Sequence, residues 1–218
     1  MANIEAVIWD MDGVIVSTGL IHLKSWQDTL QQIGITFADQ EFWNSFGLRN
    51  NDFIRKILGE STPVNKINEI AQVKEAMFRS RIQQGELRAL PGTIELMRGC
   101  KTNGMKQAIA SSAPKKNIDL ILNTLDLNKF IERIVSEDDV VRGKPDPEVF
   151  LVAARRLEIP PERCVVIEDA VTGVKGAKKA GMQCIALTTT HPRKELFRAD
   201  VVVHSLSELD KSMFFEVG

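Results

Sequence analysis

The sequence lacks the marks of several classes of protein. Its three cysteines show neither Cys-x-x-Cys spacing nor an even count, so we expect free thiols in a reducing compartment rather than disulfides or a zinc site. A formal net charge of −1 argues against nucleic acid or an anionic membrane as partner. No apolar run approaches the roughly 20 residues that cross a bilayer, and no basic segment with a long apolar stretch begins the chain. These absences predict a cytoplasmic protein.

What the chain does have is enough apolar content for a sizeable core. It contains 44% hydrophobic and 26% charged residues in 218, which fits one large domain or a core with a smaller insert. Its first apolar run, Ala6 to Trp9, is short and has a charged residue on either side, as in a buried strand. Asp10 and Asp12 follow, and Gly13 lets the backbone turn away. Taken alone, this Asp-x-Asp-Gly segment also fits a solvated turn.

The next segment has helical periodicity throughout. Leu23, Trp26, Leu30 and Ile33 recur at helical spacing, and Gly34 ends that helix. Further helices are expected at about 39–46, 51–59 and 64–84, and nothing between 20 and 85 resembles a strand. The pattern predicts an all-helical insert over 17–87 within a core formed by 1–16 and 88–218.

After Pro91 and Gly92 the pattern alternates between helices and strands. Helices are expected at about 93–102, 114–124, 147–157 and 171–180, and strands at 107–110, 133–135, 164–167, 183–187 and 200–203. Strands that alternate with helices form a parallel sheet with right-handed crossovers. The sequence therefore predicts an α/β core with helices on both faces of the sheet.

Polar residues follow four of these strands at the point where each strand ends. They are Asp10 and Asp12, Ser111 and Ser112, Lys144 in the loop beyond the third strand, and Glu168 and Asp169. Parallel strands bring their carboxyl ends to one edge of the sheet, so these groups should converge. Carboxylates, a cation and hydroxyls in one place suit metal-assisted phosphoryl transfer.

Each group has a chemical reason to be there. Mg²⁺ prefers oxygen ligands, which the Asp10 and Asp169 carboxylates and the Asp12 main-chain carbonyl could supply, with Glu168 as an inner- or outer-sphere ligand. Asp10 would then attack phosphorus as nucleophile, and Asp12 would protonate the leaving oxygen and later deprotonate water. Lys144 and Ser111 would balance charge on the transferring group.

Taken singly, these residues also have structural explanations. Ser111 fits a residue that caps the following helix, and Lys144 fits a surface loop. Glu168 and Asp169 fit an ordinary helix N-terminus. The enzymatic interpretation depends on finding all of them at consecutive strand ends.

The ordered motifs resemble those of the haloacid dehalogenase-like hydrolase superfamily. The four matching segments are Asp10–Ile15, Ala110–Ser112, Gly143–Pro147 and Ile167–Gly173. The helical insert resembles the cap of the branch that contains β-phosphoglucomutase and small-metabolite phosphatases. This resemblance implies a Rossmann-like core, a mobile cap, Mg²⁺ as cofactor and an aspartyl-phosphate intermediate on Asp10.

Candidate substrate-binding residues also come from this resemblance. Thr18 and His22 fall where the mutase motif has a hinge threonine and a cap histidine, although His22 also fits a structural role at a helix start. The mutase arginine that grips the distal phosphate aligns with Asn50, with Arg49 one residue before it. We found no clear match to the mutase cap lysine near residues 78–81, where Arg79 or Arg81 would have to replace it. Ser17 stands where a hinge aspartate is usual. Ser112 completes the substrate-binding set.

The sequence leads to three hypotheses. The first is a Mg²⁺-dependent phosphatase of a small phosphorylated metabolite, such as a sugar phosphate, and the second is a phosphohexomutase of the β-phosphoglucomutase type. The third is a non-catalytic metabolite-binding protein on the same scaffold. A dehalogenase would have no use for Asp12, and a Schiff-base phosphonate hydrolase would need a lysine where Asn50 aligns. We expect a monomer.

Overall fold

The computed structural model describes residues 4–43 and 45–209, and contacts between residues divide the chain into two compact units. One unit is formed by the chain up to Ser17 and from Arg88 onward, and the other is Thr18–Leu87. The sequence interpretation placed Ser17 in the insert, whereas its contacts group it with the first unit. Within the described residues, no helix is long and apolar enough to cross a membrane.

The described part of the Thr18–Leu87 unit is helical and contains no strand. Its helices are α1 (Gly19–Gln32), α2 (Asp39–Trp43), α3 (Asn50–Leu58) and α4 (Val64–Arg81), followed by a π-helical turn over Ile82–Glu86. Leu23, Trp26 and Leu30 face a core shared with α3 and α4, as their spacing predicts. The Trp26 ring stacks on Phe53 with 4.2 Å between centroids.

Three details of this unit differ from the expectation. Ile33 lies beyond the end of α1 and is 41% exposed, so it does not belong to the apolar stripe. α2 ends at Trp43, and Ser45 begins a turn instead of continuing to residue 46; Asn44 lies outside the described residues. α4 ends at Arg81 and passes into the π-helical turn, so the α-helix stops short of the expected residue 84, and Gly85 with φ +87° lies within that turn.

The other unit is built on six parallel strands. They are β1 (Ala6–Trp9), β2 (Lys106–Ala110), β3 (Arg133–Val135), β4 (Cys164–Glu168), β5 (Gln183–Leu187) and β6 (Val201–Val203). Their order in the sheet is β3-β2-β1-β4-β5-β6, and every pairing is parallel. The accompanying helices are α5 (Thr93–Thr102), α6 (Lys115–Thr124), α7 (Glu148–Leu157) and α8 (Val171–Lys179).

Helices cover both faces of this sheet, which confirms the predicted Rossmann-like α/β core. On one face α7 and α8 bury alternate strand residues, among them Ile8, Ala108 and Val166. On the opposite face Gln107 donates from Nε2 to the Met97 carbonyl of α5 at 2.9 Å. The Gln107 side chain also accepts a hydrogen bond from Trp9 Nε1 at 3.1 Å, so this buried amide is satisfied.

The three cysteines are free and buried, in agreement with the expectation from their spacing. All belong to the α/β unit: Cys100 to α5, Cys164 to β4 and Cys184 to β5. Burial raises the pKa of Cys100 and of Cys164 to about 12 and also raises the pKa of Cys184. These thiols are therefore protonated at neutral pH.

Candidate active site

The centre of the site is the end of β1, a strand buried at every position. Asp10 follows it, and its amide donates to the Ile167 carbonyl of neighbouring β4 at 2.9 Å. Gly13 then has φ +85°, and a Cβ on it would lie 1.9 Å from Asp169 Oδ2. Only glycine suits this position, because the backbone is left-handed and the space is taken by a carboxylate.

Lys144 joins the ends of three strands. Its Nζ donates to Asp10 Oδ1 at 2.5 Å, to Glu168 Oε1 at 2.7 Å and to the Ala110 carbonyl at 3.1 Å. The side chains of Lys144, Asp10 and Glu168 are 5%, 11% and 1% exposed, respectively. A single buried ammonium group thus holds two buried carboxylates, which excludes the surface-loop interpretation of Lys144.

Glu168 is anchored through both of its oxygens. Oε1 accepts from Lys144, and Oε2 accepts from the amides of Asp169 at 2.8 Å and Ala170 at 2.9 Å. Gly173 of α8 lies directly against this carboxylate, since a Cβ there would be 1.7 Å from Oε1. Both oxygens of Glu168 thus accept hydrogen bonds, and the carboxylate fixes the position of the Lys144 ammonium group.

The electrostatics of the cluster follow from its burial. Desolvation raises the pKa of Asp10 to about 7, the nearby Lys144 ammonium opposes this shift, and the negative charges of Glu168 and Asp12 add to it. Burial, followed by the negative charges of Glu168 and Asp10, also raises the pKa of Asp169 well above its usual range. For Lys144, burial lowers the pKa, but Asp10 and Glu168 outweigh it and the net direction is upward.

The cluster fits a hard divalent cation. Asp10, Glu168 and Asp169 each offer a carboxylate oxygen, and these ligand atoms all lie within 4.8 Å of one another. Oxygen donors at such spacing are the ligands that Mg²⁺ takes, and a dication would offset the burial and the mutual repulsion that raise the two aspartate pKa values. The donor set agrees with the expected metal.

The second strand end contributes a buried serine and its half-buried neighbour Ser112. Ser111 is 2% exposed, its amide donates to the Val135 carbonyl at 3.0 Å, and its Oγ accepts from the Ala113 amide at 3.1 Å. α6 begins only at Lys115, after Pro114. Ser111 therefore organises the loop at the strand end and is not the cap of α6.

In the helical unit, His22 belongs to a polar chain that starts from Lys74. Lys74 Nζ lies 2.8 Å from His22 Nδ1, and the His22 ring stacks on Phe78 with 4.0 Å between centroids. Lys74 is 2% exposed, with its Nζ 5.3 Å from the ring centroids of Trp26 and Phe78. An ammonium group has only donors, so Nδ1 accepts and the imidazole carries its proton on Nε2.

Asn50 belongs to the same chain. Glu75 Oε1 accepts from Lys74 Nζ at 2.6 Å and from Asn50 Nδ2 at 2.9 Å. The structure thus brings together two residues, His22 and Asn50, that the sequence nominated separately. Arg49 directly precedes α3 in an extended conformation and is half-buried.

The remaining candidates of this unit are Thr18, Arg79 and Arg81. Thr18 is fully buried, and its carbonyl accepts from the His22 amide at 2.9 Å. Arg81 forms an ion pair with Asp28 of α1 at 2.5 Å, so it braces α4 against α1. Arg79 is half-buried on α4.

Sequence reasoning missed two features. Lys74 occupies a buried position of α4 that continues the stripe of Ile67 and Ile70 toward Phe78, and a lysine at an apolar stripe position was the available signal. The second is the loop after β5, where Thr189 Oγ1 donates to the Gly13 carbonyl at 2.5 Å and Thr190 Oγ1 donates to Asp169 Oδ2. A fifth strand end with hydroxyl residues was visible in the sequence but was assigned no role.

Known proteins resemble this chain over nearly its whole length. It is 31% identical to a β-phosphoglucomutase from Bacillus subtilis, covering 97% of this chain and 94% of the relative. It is also 31% identical to a phosphorylated carbohydrates phosphatase from Thermotoga maritima, covering 83% of each. A crystal structure of a mutant CbbY from Rhodobacter sphaeroides in complex with xylulose-(1,5)bisphosphate superposes with a TM-score of 0.87 at 25% identity, covering 94% of this chain and 96% of that one.

The family assignment rests on the profile that matches the motifs themselves. The sequence profile of the haloacid dehalogenase-like hydrolases matches residues 7–187, a range that holds both aspartates after β1, the lysine and the acidic pair after β4. Together with the parallel sheet and the helical insert, this match shows that the chain belongs to the haloacid dehalogenase-like hydrolases, an enzyme family.

Proposed function

We propose that this enzyme is a Mg²⁺-dependent phosphatase that acts through an aspartyl-phosphate on Asp10. The observation that supports this proposal is the buried contact of Lys144 with Asp10 and Glu168, beside Asp169. A nucleophilic carboxylate, a fixed cation and a cluster of metal-ligating oxygens are what phosphoryl transfer to an aspartate requires.

Each residue has a proposed task. Asp10 and Asp169 would hold Mg²⁺ together with the main-chain carbonyl of Asp12, while Glu168 keeps Lys144 in place. The ion would supply positive charge that lets a phosphate dianion approach an anionic nucleophile. Asp10 attacks phosphorus and the bond to the leaving oxygen breaks, while Asp12 gives that oxygen a proton.

The second half of the reaction returns the enzyme to its starting state. Asp12, now a carboxylate, takes a proton from water as the water attacks phosphorus, and inorganic phosphate leaves Asp10. Lys144 and the Ser111 hydroxyl balance charge on the phosphoryl oxygens in both steps.

The proposed substrate is a small phosphorylated metabolite, such as a sugar phosphate. The names of the Thermotoga phosphatase and the Bacillus mutase, and the sugar bisphosphate bound by CbbY, support this class. We assign substrate contacts to Thr18, His22, Arg49 and Asn50 of the helical unit and to Ser112 of the α/β unit. The helical unit would serve as a cap that excludes water from the intermediate.

The experiment is a phosphate-release assay with Mg²⁺ over a panel of phosphorylated metabolites, comparing wild type with Asp10→Asn. The variant keeps the size of the side chain but removes the nucleophile, so its rate should fall to background. Asp119→Asn, on the exposed side of α6, is the matched control and should keep wild-type activity. Equal activity of wild type and Asp10→Asn would reject the mechanism.

A phosphohexomutase is the second candidate, favoured by the 31% identity to a β-phosphoglucomutase. Against it, the position of the mutase arginine is Asn50, whose amide is bonded to the Glu75 carboxylate. The test supplies β-glucose 1-phosphate with a hexose bisphosphate primer. Formation of glucose 6-phosphate without net phosphate release would identify a mutase, and stoichiometric release of phosphate would identify a phosphatase.

A further inference from the structure

The loop that follows β5, which we call the threonine loop (Thr188–His191), touches two parts of the site at once. Thr189 Oγ1 donates to the Gly13 carbonyl at 2.5 Å, and Thr190 Oγ1 donates to Asp169 Oδ2. The His191 ring nitrogen Nδ1 lies 3.3 Å from the Asp169 carbonyl. Two successive hydroxyls and an imidazole therefore contact the turns that follow β1 and β4.

The sheet order explains why this loop reaches the site. β5 pairs with β4 in parallel, with Glu168 opposite Ala186, so both strands end at the same edge. Asp169 is the first residue after β4 and Thr188 is the first after β5. The loop therefore leaves the sheet directly beside the acidic pair.

The space around Asp169 is closed from two sides. A Cβ on Gly13 would lie 1.9 Å from Asp169 Oδ2 and 2.9 Å from Thr190 Oγ1, so carboxylate and hydroxyl fill the room that this glycine leaves. Asp169 itself is 2% exposed. An ionised carboxylate has about four lone-pair sites, so one hydrogen bond from Thr190 fixes the rotation of the group without exhausting its capacity to bind a cation.

We propose that Thr190 is a positioning residue of the Mg²⁺ site, which orients the Asp169 carboxylate as a ligand through its hydroxyl. Thr189 supports the same site by holding the Gly13 carbonyl and hence the turn that carries Asp12. The inference rests on the metal dependence of the proposed function and adds a fifth strand end to the site. Groups that hold a metal ligand through hydrogen bonds typically change metal affinity 10- to 100-fold when removed.

The test measures Mg²⁺ binding alone, by isothermal titration calorimetry on the intact chain without substrate. Thr190→Val keeps the shape of the side chain and removes the hydroxyl, and we expect about 10- to 100-fold weaker binding. Thr190→Ser keeps the hydroxyl and should bind within a few-fold of wild type. Thr188→Val is the matched control, because the Thr188 hydroxyl lies 2.7 Å from His204 Nδ1 instead of Asp169.

Kinetic measurements distinguish a loss of metal positioning from a general loss of the active structure. In Thr190→Val the Mg²⁺ concentration for half-maximal activity should rise while activity at saturating Mg²⁺ recovers. Thr190→Ala, which places no methyl against the carboxylate, should bind as weakly as Thr190→Val; it is the variant to use if the valine does not fold.

Failure of this inference is distinguishable from failure of the proposed function. Wild-type affinity in both Thr190→Val and Thr190→Ala, with Mg²⁺ bound by wild type, would overturn the inference alone. A wild-type chain that binds no Mg²⁺ and releases phosphate without it would overturn the proposed function and, with it, this inference.

Discussion

Gly173 shows how the position of Lys144 depends on a residue that has no side chain. It lies in α8, where a Cβ would stand 1.7 Å from Glu168 Oε1, the atom that accepts from Lys144. A methyl group there must displace the Glu168 carboxylate, and Lys144 would lose one of its two anionic partners. The glycine is therefore required by the carboxylate and not by the helix.

Replacing Gly173 with alanine should abolish phosphatase activity and cost about 1–3 kcal/mol of stability, the usual range for overpacking in a buried site. Gly176→Ala, one turn away on the same helix, is the matched control. Its Cβ would meet the edge of the Phe150 ring at 3.1 Å and the Asp146 carbonyl oxygen at 3.3 Å, far less severe contacts than at Gly173, and the gain in helix propensity offsets part of that strain. Activity assays and urea unfolding on both variants measure the difference; a fully active Gly173→Ala would contradict it.

A single contact, that of Lys74 with His22, also determines which ring nitrogen of His22 is protonated. Because the Lys74 ammonium faces Nδ1 at 2.8 Å, the wild-type ring should carry its proton on Nε2. Nitrogen-15 spectra of the imidazole report this tautomer, and only three histidines need assignment. In Lys74→Met the donor is lost while the length of the side chain is kept, so the preference should weaken, with His204 unchanged as the control. A wild-type His22 protonated on Nδ1 would rule out the donor role of Lys74.

Hydrogen bonds from a charged residue of α7 join this helix to β3 and to the segment that follows β3. Arg156 of α7 donates from Nη1 to the Ile134 carbonyl of β3 at 2.6 Å and from Nη2 to Asp139 Oδ1 at 2.6 Å. Asp139 also accepts from the Ser136 amide and hydroxyl through Oδ2. The hydrogen bond from Arg156 is the main reason that the pKa of Asp139 is lowered to about 2.

This lowered pKa predicts the pH dependence of stability. The ionised form is favoured in the folded state, so its contribution is fully present above the ordinary pKa near 4 and is lost as the pH falls toward 2. Asp139→Asn should lower the free energy of unfolding by about 1 kcal/mol at pH 6 and flatten its decline between pH 4 and 2. Urea unfolding at several pH values measures this. Asp119→Asn, which removes an exposed ion pair on α6, should leave the decline unchanged.

Most elements could be predicted because their patterns are local. β5 was expected at 183–187 and occurs there, since an apolar run between Gly181 and a threonine cluster leaves little choice. α5 likewise matches at 93–102. The convergence of Asp10, Lys144 and Glu168 followed from the parallel topology, which needs no knowledge of side-chain geometry.

The sequence interpretation failed at residues whose role depends on tertiary contacts. Lys74 was overlooked because periodicity expects an apolar residue at its position. The contacts with Glu75, His22 and the rings of Trp26 and Phe78 make a buried ammonium group tolerable there. The threonine loop was overlooked because hydroxyl residues after a strand are also typical of ordinary turns. Its distinctive feature is the distance to Asp169, which the sequence does not contain.

Among the residues that the structure describes, each of the two units has an apolar cluster of its own, one in the helical unit and another in the α/β unit. All three cysteines belong to the α/β unit, and none lies between Thr18 and Leu87. Thiol labelling therefore reports specifically on opening of the unit that carries Asp10, Glu168 and Asp169.

Because the three thiols are buried and their pKa values are raised, native protein should react with a thiol reagent only when the α/β unit opens. Mg²⁺ bound to that unit at about 100 times its Kd stabilises it by about 2.7 kcal/mol, which lowers the open population about 100-fold. Where reclosing is fast, the labelling rate should fall by the same factor. Asp169→Asn removes a proposed ligand, so its labelling should respond far less to Mg²⁺. Labelling that Mg²⁺ leaves unchanged in wild type would show that no such stabilising site exists in the unit.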